Sequence, residues 1–153
     1  MKNITQRRVA TLRYKSPIMR MMAPPKFLIA DDSEGKQMLL QGLLRHSKWH
    51  VDLLTASTTE EAMRLVDAHT DIAFAFIDYN IPSQNGPAVI SYLRQKCPAA
   101  HIALVTSMDD ASCFAESKKA GAEICICTAY QSDEVERAIL DLLEQWRSKG
   151  VGK

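Results

Sequence analysis

The sequence predicts an α/β domain in which five helices cover a doubly wound, five-stranded parallel sheet. Five short apolar runs alternate with five longer amphipathic stretches from residue 27 onwards. Each apolar run has four to six residues between polar ones, which is typical of strands buried on both faces. Because crossovers between parallel strands are right-handed, the intervening helices are expected on both sides of the sheet.

The predicted strands are the apolar runs, which are Phe27–Ala30, Val51–Thr55, Ile72–Ile77, Ile102–Val105 and Ile124–Cys127. Asp52 interrupts the second run with a charge. Since charged residues are tolerated best at the border of a sheet, the second strand is expected to be an edge strand.

The predicted helices are the amphipathic stretches, over residues 34–47, 58–69, 87–96, 110–120 and 132–148. Ser57 and Glu60 have the spacing of a capping box at the start of the second helix. Gly121 follows the fourth helix and is the residue type that favours the left-handed position after a helix. Trp146 closes an apolar stripe on the last helix and is expected in the core or at its rim.

The length of 153 residues suits one domain, and 46% hydrophobic with 24% charged residues is typical of a globular protein. No apolar run approaches the ~20 residues that span a bilayer, so no membrane segment is expected. The expected boundaries are a basic, flexible extension over residues 1–25, the domain over residues 26–148 and a tail over residues 149–153.

Charge is unevenly distributed along the chain. Residues 1–26 contain seven basic and no acidic side chains, whereas residues 27–153 contain 12 basic and 18 acidic ones, a balance of −6. A flexible tail, or a true translation start at Met22, is favoured for the basic segment. An arm that binds nucleic acid or an anionic membrane is the alternative.

The cysteine content favours a cytoplasmic protein with reduced thiols. A domain of this size builds a core without disulfides, so its four cysteines are expected to be free. Cys125 and Cys127 alternate along one strand and share a face. A metal or redox pair is conceivable there, but two thiols do not make a zinc site, so apolar buried thiols are expected.

Acidic and hydroxyl side chains follow three of the predicted strands. Asp31 and Asp32 follow the first strand, Asp78 follows the third, and Thr106 follows the fourth. The carboxyl ends of parallel strands meet at one edge of the sheet. Three carboxylates at this edge would repel one another and raise each other's pKa unless a cation lies among them. The pattern therefore predicts a site for Mg²⁺, which prefers oxygen ligands and can also hold a phosphate.

These segments resemble the receiver domain of two-component response regulators, including the single-domain chemotaxis type. The resemblance covers residues 26–148 and rests on four segments, Phe27–Ser33, Asp78–Gly86, Val105–Ser107 and Gly121–Ala122. Within the second, Pro82 and Gly86 are in register with the family's phosphoacceptor loop. The resemblance implies a flavodoxin-like sheet with strand order 2-1-3-4-5.

The resemblance also implies roles for the site residues. Asp78 would accept a phosphoryl group from the phosphohistidine of a histidine kinase or phosphotransfer protein. Asp31 and Asp32 would hold Mg²⁺ together with Asp78 and the backbone carbonyl of Asn80. Thr106 would hydrogen-bond a phosphoryl oxygen and reorient when the phosphate arrives.

The loop after the fifth strand departs from the family pattern. Thr128 replaces a lysine, Ala129 replaces a proline, and Cys125 stands where the family often has the aromatic residue of its switch. A lysine ammonium would contribute about 1.5–3 kcal/mol to binding a phosphoryl group, which Thr128 cannot supply. Lys118 and Lys119 are near in sequence, but a solvated position on the fourth helix is expected for them. The departure therefore affects the readout more than the chemistry at Asp78.

The leading interpretation is a stand-alone receiver that acts through a protein partner on the face formed by the fourth helix, fifth strand and fifth helix. The alternative is a degenerate receiver that serves as a phosphorylation-independent interaction module. A nucleic-acid-associated protein is a third hypothesis, and no membrane partner is expected. An enzyme is not expected, since the sequence has no acid–base pair, glycine-rich phosphate loop or cofactor motif.

Overall fold

The sheet has the predicted topology. A computed structural model of the chain describes residues 23–151, and its five strands are all parallel in the order β2-β1-β3-β4-β5. The strands are β1 (Lys26–Ala30), β2 (Asp52–Ala56), β3 (Ile72–Ile77), β4 (His101–Thr106) and β5 (Ile124–Cys127). Asp52 opens β2, which lies at one edge of the sheet as predicted. The doubly wound, flavodoxin-like fold class is thereby confirmed.

Five helices connect and follow the strands. They are α1 (Glu34–Ser47), α2 (Thr59–Ala68), α3 (Gly86–Lys96), α4 (Ala111–Ala120) and α5 (Ser132–Val151). The bounds of α1 are those predicted, whereas α5 continues past the predicted end at residue 148. Gly121 ends α4 with a φ of 131°, a conformation that the missing Cβ permits. The predicted extension over residues 1–25 lies almost entirely outside the described residues.

The start of α2 differs from the predicted capping box. The side chain of Thr58, not Ser57, caps the helix by accepting a hydrogen bond from the Glu61 amide at 3.1 Å. Glu61 in turn accepts hydrogen bonds from the Ser57 amide at 2.9 Å and the Ser57 hydroxyl at 2.8 Å. These two bonds hold the pKa of Glu61 below its usual value. The capping pair is therefore shifted by one residue, because Thr58 also has a side-chain oxygen that can cap.

Two apolar layers bury both faces of the sheet. One layer packs α2 and α3 against side chains such as Leu28 and Ile77, and the other packs α1 and α5 against Phe27, Phe74 and Phe76. Trp146 is fully buried in the second layer. Since the central strands are enclosed on both faces, their carboxyl ends are held in fixed relative positions.

The four cysteines are free thiols. Cys97 and Cys113 are buried, and burial raises the pKa of the Cys97 thiol. Cys125 and Cys127 are only half-buried, because β5 is an edge strand, so the expectation that both are buried was wrong. In the part of the chain that the structure describes, no helix has the length and hydropathy of a membrane span.

Candidate functional site

Three carboxylates gather at the carboxyl edge of the sheet, as the sequence pattern predicted. The amide of Asp31 donates to the carbonyl of Ala56 at 2.9 Å, and the amide of Asp78 donates to the carbonyl of Ala30 at 2.9 Å. These bonds continue the strand pairing by one residue and hold Asp31 and Asp78 side by side. Asp32 completes the group, and one carboxylate oxygen from each of the three lies within 4.8 Å of the others.

The three carboxylates differ in burial. Asp31 is 1% exposed, Asp78 is 8% exposed, and Asp32 is exposed. Burial raises the pKa of Asp31, and the opposing effects of the Ser33 amide and the Lys36 ammonium are smaller. Oδ1 of Asp31 accepts a hydrogen bond from the Ser33 amide at 2.9 Å, whereas its buried Oδ2 lies 3.0 Å from the ammonium group of Lys36. Three clustered carboxylates, two of them buried, supply the oxygen ligands that a hard divalent cation prefers.

A lysine that the sequence analysis did not identify lies inside this group. Nζ of Lys36 is 3.0 Å from Oδ2 of Asp31 and 3.1 Å from Oδ1 of Asp78, and the lysine side chain is only 12% exposed. Lys36 is the third residue of α1, which Ser33 caps. The available signal was a lysine in the first turn of the helix that follows Asp32. By contrast, Lys118 and Lys119 are exposed on α4, as predicted.

The loop after β3 is held close to the backbone of Asp78. The amide of Tyr79 donates to Oδ1 of Asp78 at 2.8 Å, and the amide of Gly86 donates to the carbonyl of Tyr79 at 2.7 Å. A Cβ atom at Gly86 would lie 2.1 Å from the carbonyl oxygen of Asp78, so only glycine allows this approach. The carbonyl of Pro82 accepts a hydrogen bond from the Thr59 amide at 2.8 Å, which fixes the loop to α2.

Thr106 and Asn80 both contact Met108, which lies in the loop after β4. Thr106 is the last residue of β4 and is fully buried, and its hydroxyl accepts a hydrogen bond from the Met108 amide at 3.2 Å. Asn80 is exposed two residues after Asp78, and its side chain contacts the sulfur of Met108 at 3.1 Å. The hydroxyl predicted at this edge is therefore present at the end of β4, which pairs with β3, the strand that Asp78 follows.

The loop after β5 brings no cation to Asp78. Thr128 is half-buried, and its amide donates to the carbonyl of Thr106 at 2.8 Å. Ala129 is exposed, and Cys125 is half-buried with its sulfur 3.8 Å from the carbonyl of Phe114. Within residues 23–151, the amine paired with Asp78 therefore comes from α1 and not from this loop.

Tyr130 connects the loops that follow β4 and β5. Its hydroxyl donates to Oδ2 of Asp109 at 2.6 Å, and this hydrogen bond raises the pKa of the phenol. The ring itself is exposed. The two loops next to Thr106 are thus joined by a side-chain bond as well as by the backbone bond at Thr128.

Comparisons with known proteins match this chain to one protein family. A family model described as the response regulator receiver domain matches residues 27–140. The rice (Oryza sativa subsp. japonica) two-component response regulator ORR42 is 28% identical over 123 residues, which are 80% of this chain and 86% of the rice protein.

Solved structures with the same fold include two response regulators. The phosphorylated cyanobacterial phytochrome response regulator RcpA superposes with a TM-score of 0.74 at 16% identity, over 83% of this chain and 96% of RcpA. The Mn²⁺-bound form of response regulator Rcp1 gives a TM-score of 0.70 at 15% identity, over 80% of this chain and 94% of Rcp1. At identities of 15–16%, these similarities support the fold assignment alone.

Proposed function

The chain belongs to the response regulator receiver domain family, and we propose that it accepts a phosphoryl group on Asp78. The donor would be the phosphohistidine of a histidine kinase or of a phosphotransfer protein. The observation that supports this best is the gathering of Asp31, Asp32 and Asp78 at the carboxyl edge of the sheet. Asp78 follows the central strand β3, and the buried Thr106 ends the neighbouring strand β4. The domain would then be a signalling module and not an enzyme.

The chemistry is a transfer between two nucleophiles. An oxygen of Asp78 forms a bond to phosphorus as the phosphorus–nitrogen bond of the donor breaks, and the donor imidazole leaves. The product is an acyl phosphate on Asp78. Thr106, whose hydroxyl lies at the end of the neighbouring strand, would donate a hydrogen bond to a phosphoryl oxygen. Asp78 would therefore form the covalent bond to phosphorus, and Thr106 would make an uncharged hydrogen bond to the phosphoryl group.

We propose Mg²⁺ as the metal ion of the site. Asp31, Asp32 and Asp78 would hold it together with the backbone carbonyl of Asn80, and when bound it neutralises charge on the phosphoryl group. The proposal is supported by the all-oxygen donor set and by the burial of two of the three carboxylates. The Mn²⁺-bound structure of Rcp1 shows that a relative of the same fold holds a divalent ion.

Labelling by a small phosphodonor tests the proposed function. After incubation with acetyl phosphate and Mg²⁺, intact mass spectrometry should show one added phosphate on the parent protein and none on Asp78→Asn, because the amide is not a nucleophile. Asp71→Asn is the matched control, since Asp71 is an exposed carboxylate paired with Lys26 before β3. It should be labelled like the parent. Labelling that persists in Asp78→Asn would place the phosphate on another residue.

A second function is favoured by the loop after β5. If no donor labels the parent protein, the domain is better described as a phosphorylation-independent interaction module. Thr128 supports this alternative, because it offers a neutral hydroxyl where the family has a lysine. In either case we propose a downstream protein partner on the face formed by α4, β5 and α5. We also propose a cytoplasmic location, which the four free thiols support.

Phosphorylation is expected to change partner affinity on this face by less than about tenfold (~1.4 kcal/mol). A phosphate shifts a conformational equilibrium only if it interacts differently with the two states. Thr128 is neutral, Cys125 has no ring to move, and Tyr130 is already bonded to Asp109. Calorimetric titration of the partner with free and phosphorylated protein measures the ratio.

Restoring the family residues gives the comparison for that measurement. Thr128→Lys combined with Ala129→Pro should increase the affinity ratio, because an ammonium group would link the phosphate to the loop after β5. A ratio of about a hundredfold in the unmodified protein would mean that other residues carry the switch, and the interpretation of Thr128 and Cys125 would be wrong.

A further inference from the structure

We propose that the ammonium group of Lys36 occupies the cation position of the carboxylate cluster, so that Lys36 and a divalent metal ion bind there in alternation. The inference rests on the metal site of the proposed function and adds to it a residue from α1. In such a receiver domain, a metal ion must displace the Lys36 ammonium group before it can bind.

The position of the ammonium group supports exclusive binding. Nζ of Lys36 contacts Asp31 at 3.0 Å and Asp78 at 3.1 Å, and these are the two buried carboxylates of the cluster. A divalent ion held by the same oxygens would lie in the same small space, since its bonds to oxygen are about 2.0–2.6 Å long. Two cations so close would repel each other strongly, so one leaves when the other enters.

The burial of Asp31 shows why a cation is needed there. Asp31 is 1% exposed, and a buried carboxylate without a counter-ion is costly. Lys36 is the cation that meets its Oδ2, which has no other polar contact among the described residues. The lysine therefore stabilises the two buried carboxylates in the absence of metal.

The place of Lys36 on α1 allows it to move. It lies in the first turn of the helix, next to the exposed Gly35, and its four-carbon stem can carry the ammonium group into solvent without a change in the backbone. Displacement nevertheless breaks two ion pairs. The affinity for the metal is therefore lowered by the free energy of those contacts.

Metal binding by a lysine variant tests the inference. In calorimetric titration with Mn²⁺ or Mg²⁺, and with no phosphodonor present, Lys36→Met should bind the ion at least about tenfold more tightly than the parent. Metal-free Lys36→Met should also melt at a lower temperature than the parent and gain more on addition of Mg²⁺. Lys118→Met is the matched control, because Lys118 is an exposed lysine on α4, and it should behave like the parent.

A second measurement uses the parent protein, so it does not depend on the folding of a variant. Amines are acetylated with a water-soluble reagent and the modified lysines are quantified by mass spectrometry. Lys36 should react slowly without metal and severalfold faster with saturating Mg²⁺, because the ion displaces its ammonium group into solvent. Lys118 and Lys119 are internal references whose reaction rates should not change.

The outcomes separate this inference from the proposed function. If the parent binds the ion while Lys36→Met binds it no more tightly and the acetylation of Lys36 is unchanged, the inference is overturned and the metal site stands. If neither protein binds a divalent ion, the metal site and the alternation both fail. Labelling of Asp78 by a phosphodonor is decided by its own experiment.

Discussion

Replacing Gly86 with alanine is expected to lower the free energy of unfolding by about 3 kcal/mol. A methyl group there would lie 2.1 Å from the carbonyl oxygen of Asp78 and 2.9 Å from its carbonyl carbon and from Cα of Tyr79. These are backbone atoms, so no rotation of a side chain relieves the overlap. The loop must move away from β3, and the hydrogen bond of 2.7 Å from the Gly86 amide to Tyr79 is strained or lost. Urea unfolding measures the effect.

Gly42 provides a control with the opposite sign. It lies inside α1, and a Cβ atom there would meet nothing closer than the end of the Arg45 side chain at 3.8 Å. Since alanine loses less backbone entropy than glycine in a helix, Gly42→Ala should raise stability by about 0.5–1 kcal/mol. Equal stability of Gly86→Ala and the parent would mean that the loop does not approach Asp78 as closely as the structure has it.

Replacing Trp146 with alanine is expected to cost about 3–5 kcal/mol of stability. The indole is fully buried, with its ring centroid 5.4 Å from that of Phe74, 5.5 Å from that of Phe76 and 6.0 Å from that of Phe27. Its Nε1 donates to Oε2 of Glu123 at 3.3 Å. The truncation leaves a cavity between α5 and the sheet, because the strands cannot move inward to fill it.

Trp146→Phe separates packing from hydrogen bonding. Phenylalanine retains most of the ring contacts and gives up the bond to Glu123, whose Oε1 still lies 2.8 Å from Nδ1 of His101. The loss should therefore be about 1–2 kcal/mol, well below that of the alanine variant. Comparable destabilisation by both substitutions in urea unfolding would show that the hydrogen bond, and not the buried ring, accounts for the effect of Trp146.

Much of the fold follows from local sequence patterns. The bounds of α1 were predicted from its leucine spacing, and Asp52 marked β2 as an edge strand. The start of α2 was misplaced by one residue, because Ser57 and Thr58 can both cap and the choice between them depends on where β2 ends. The end of α5 was placed too early, since its last turn continues through residues that were assigned to a tail.

The carboxylate cluster was predictable, but its amine was not. Asp31, Asp32 and Asp78 each follow a strand directly, so topology alone brings them together. Lys36 belongs to a helix whose first turn looks solvated in the sequence. Whether its ammonium group turns inward depends on the packing of α1 against the sheet. In the family pattern the lysine follows β5, so the sequence comparison considered position 128 and not α1.

The strand order also determines how the domain is completed during translation. β1 can gain both neighbouring strands once β2 and β3 have emerged, and β4 and β5 can then add in turn to one side of the sheet, whereas the apolar layer around Phe27 is complete only when α5 packs. Each new strand therefore meets a border that already exists, which suits a chain that folds from its N-terminal part onwards. β5 has four residues and one neighbouring strand, so we expect it to be the last strand to join the sheet and the first strand that local unfolding releases.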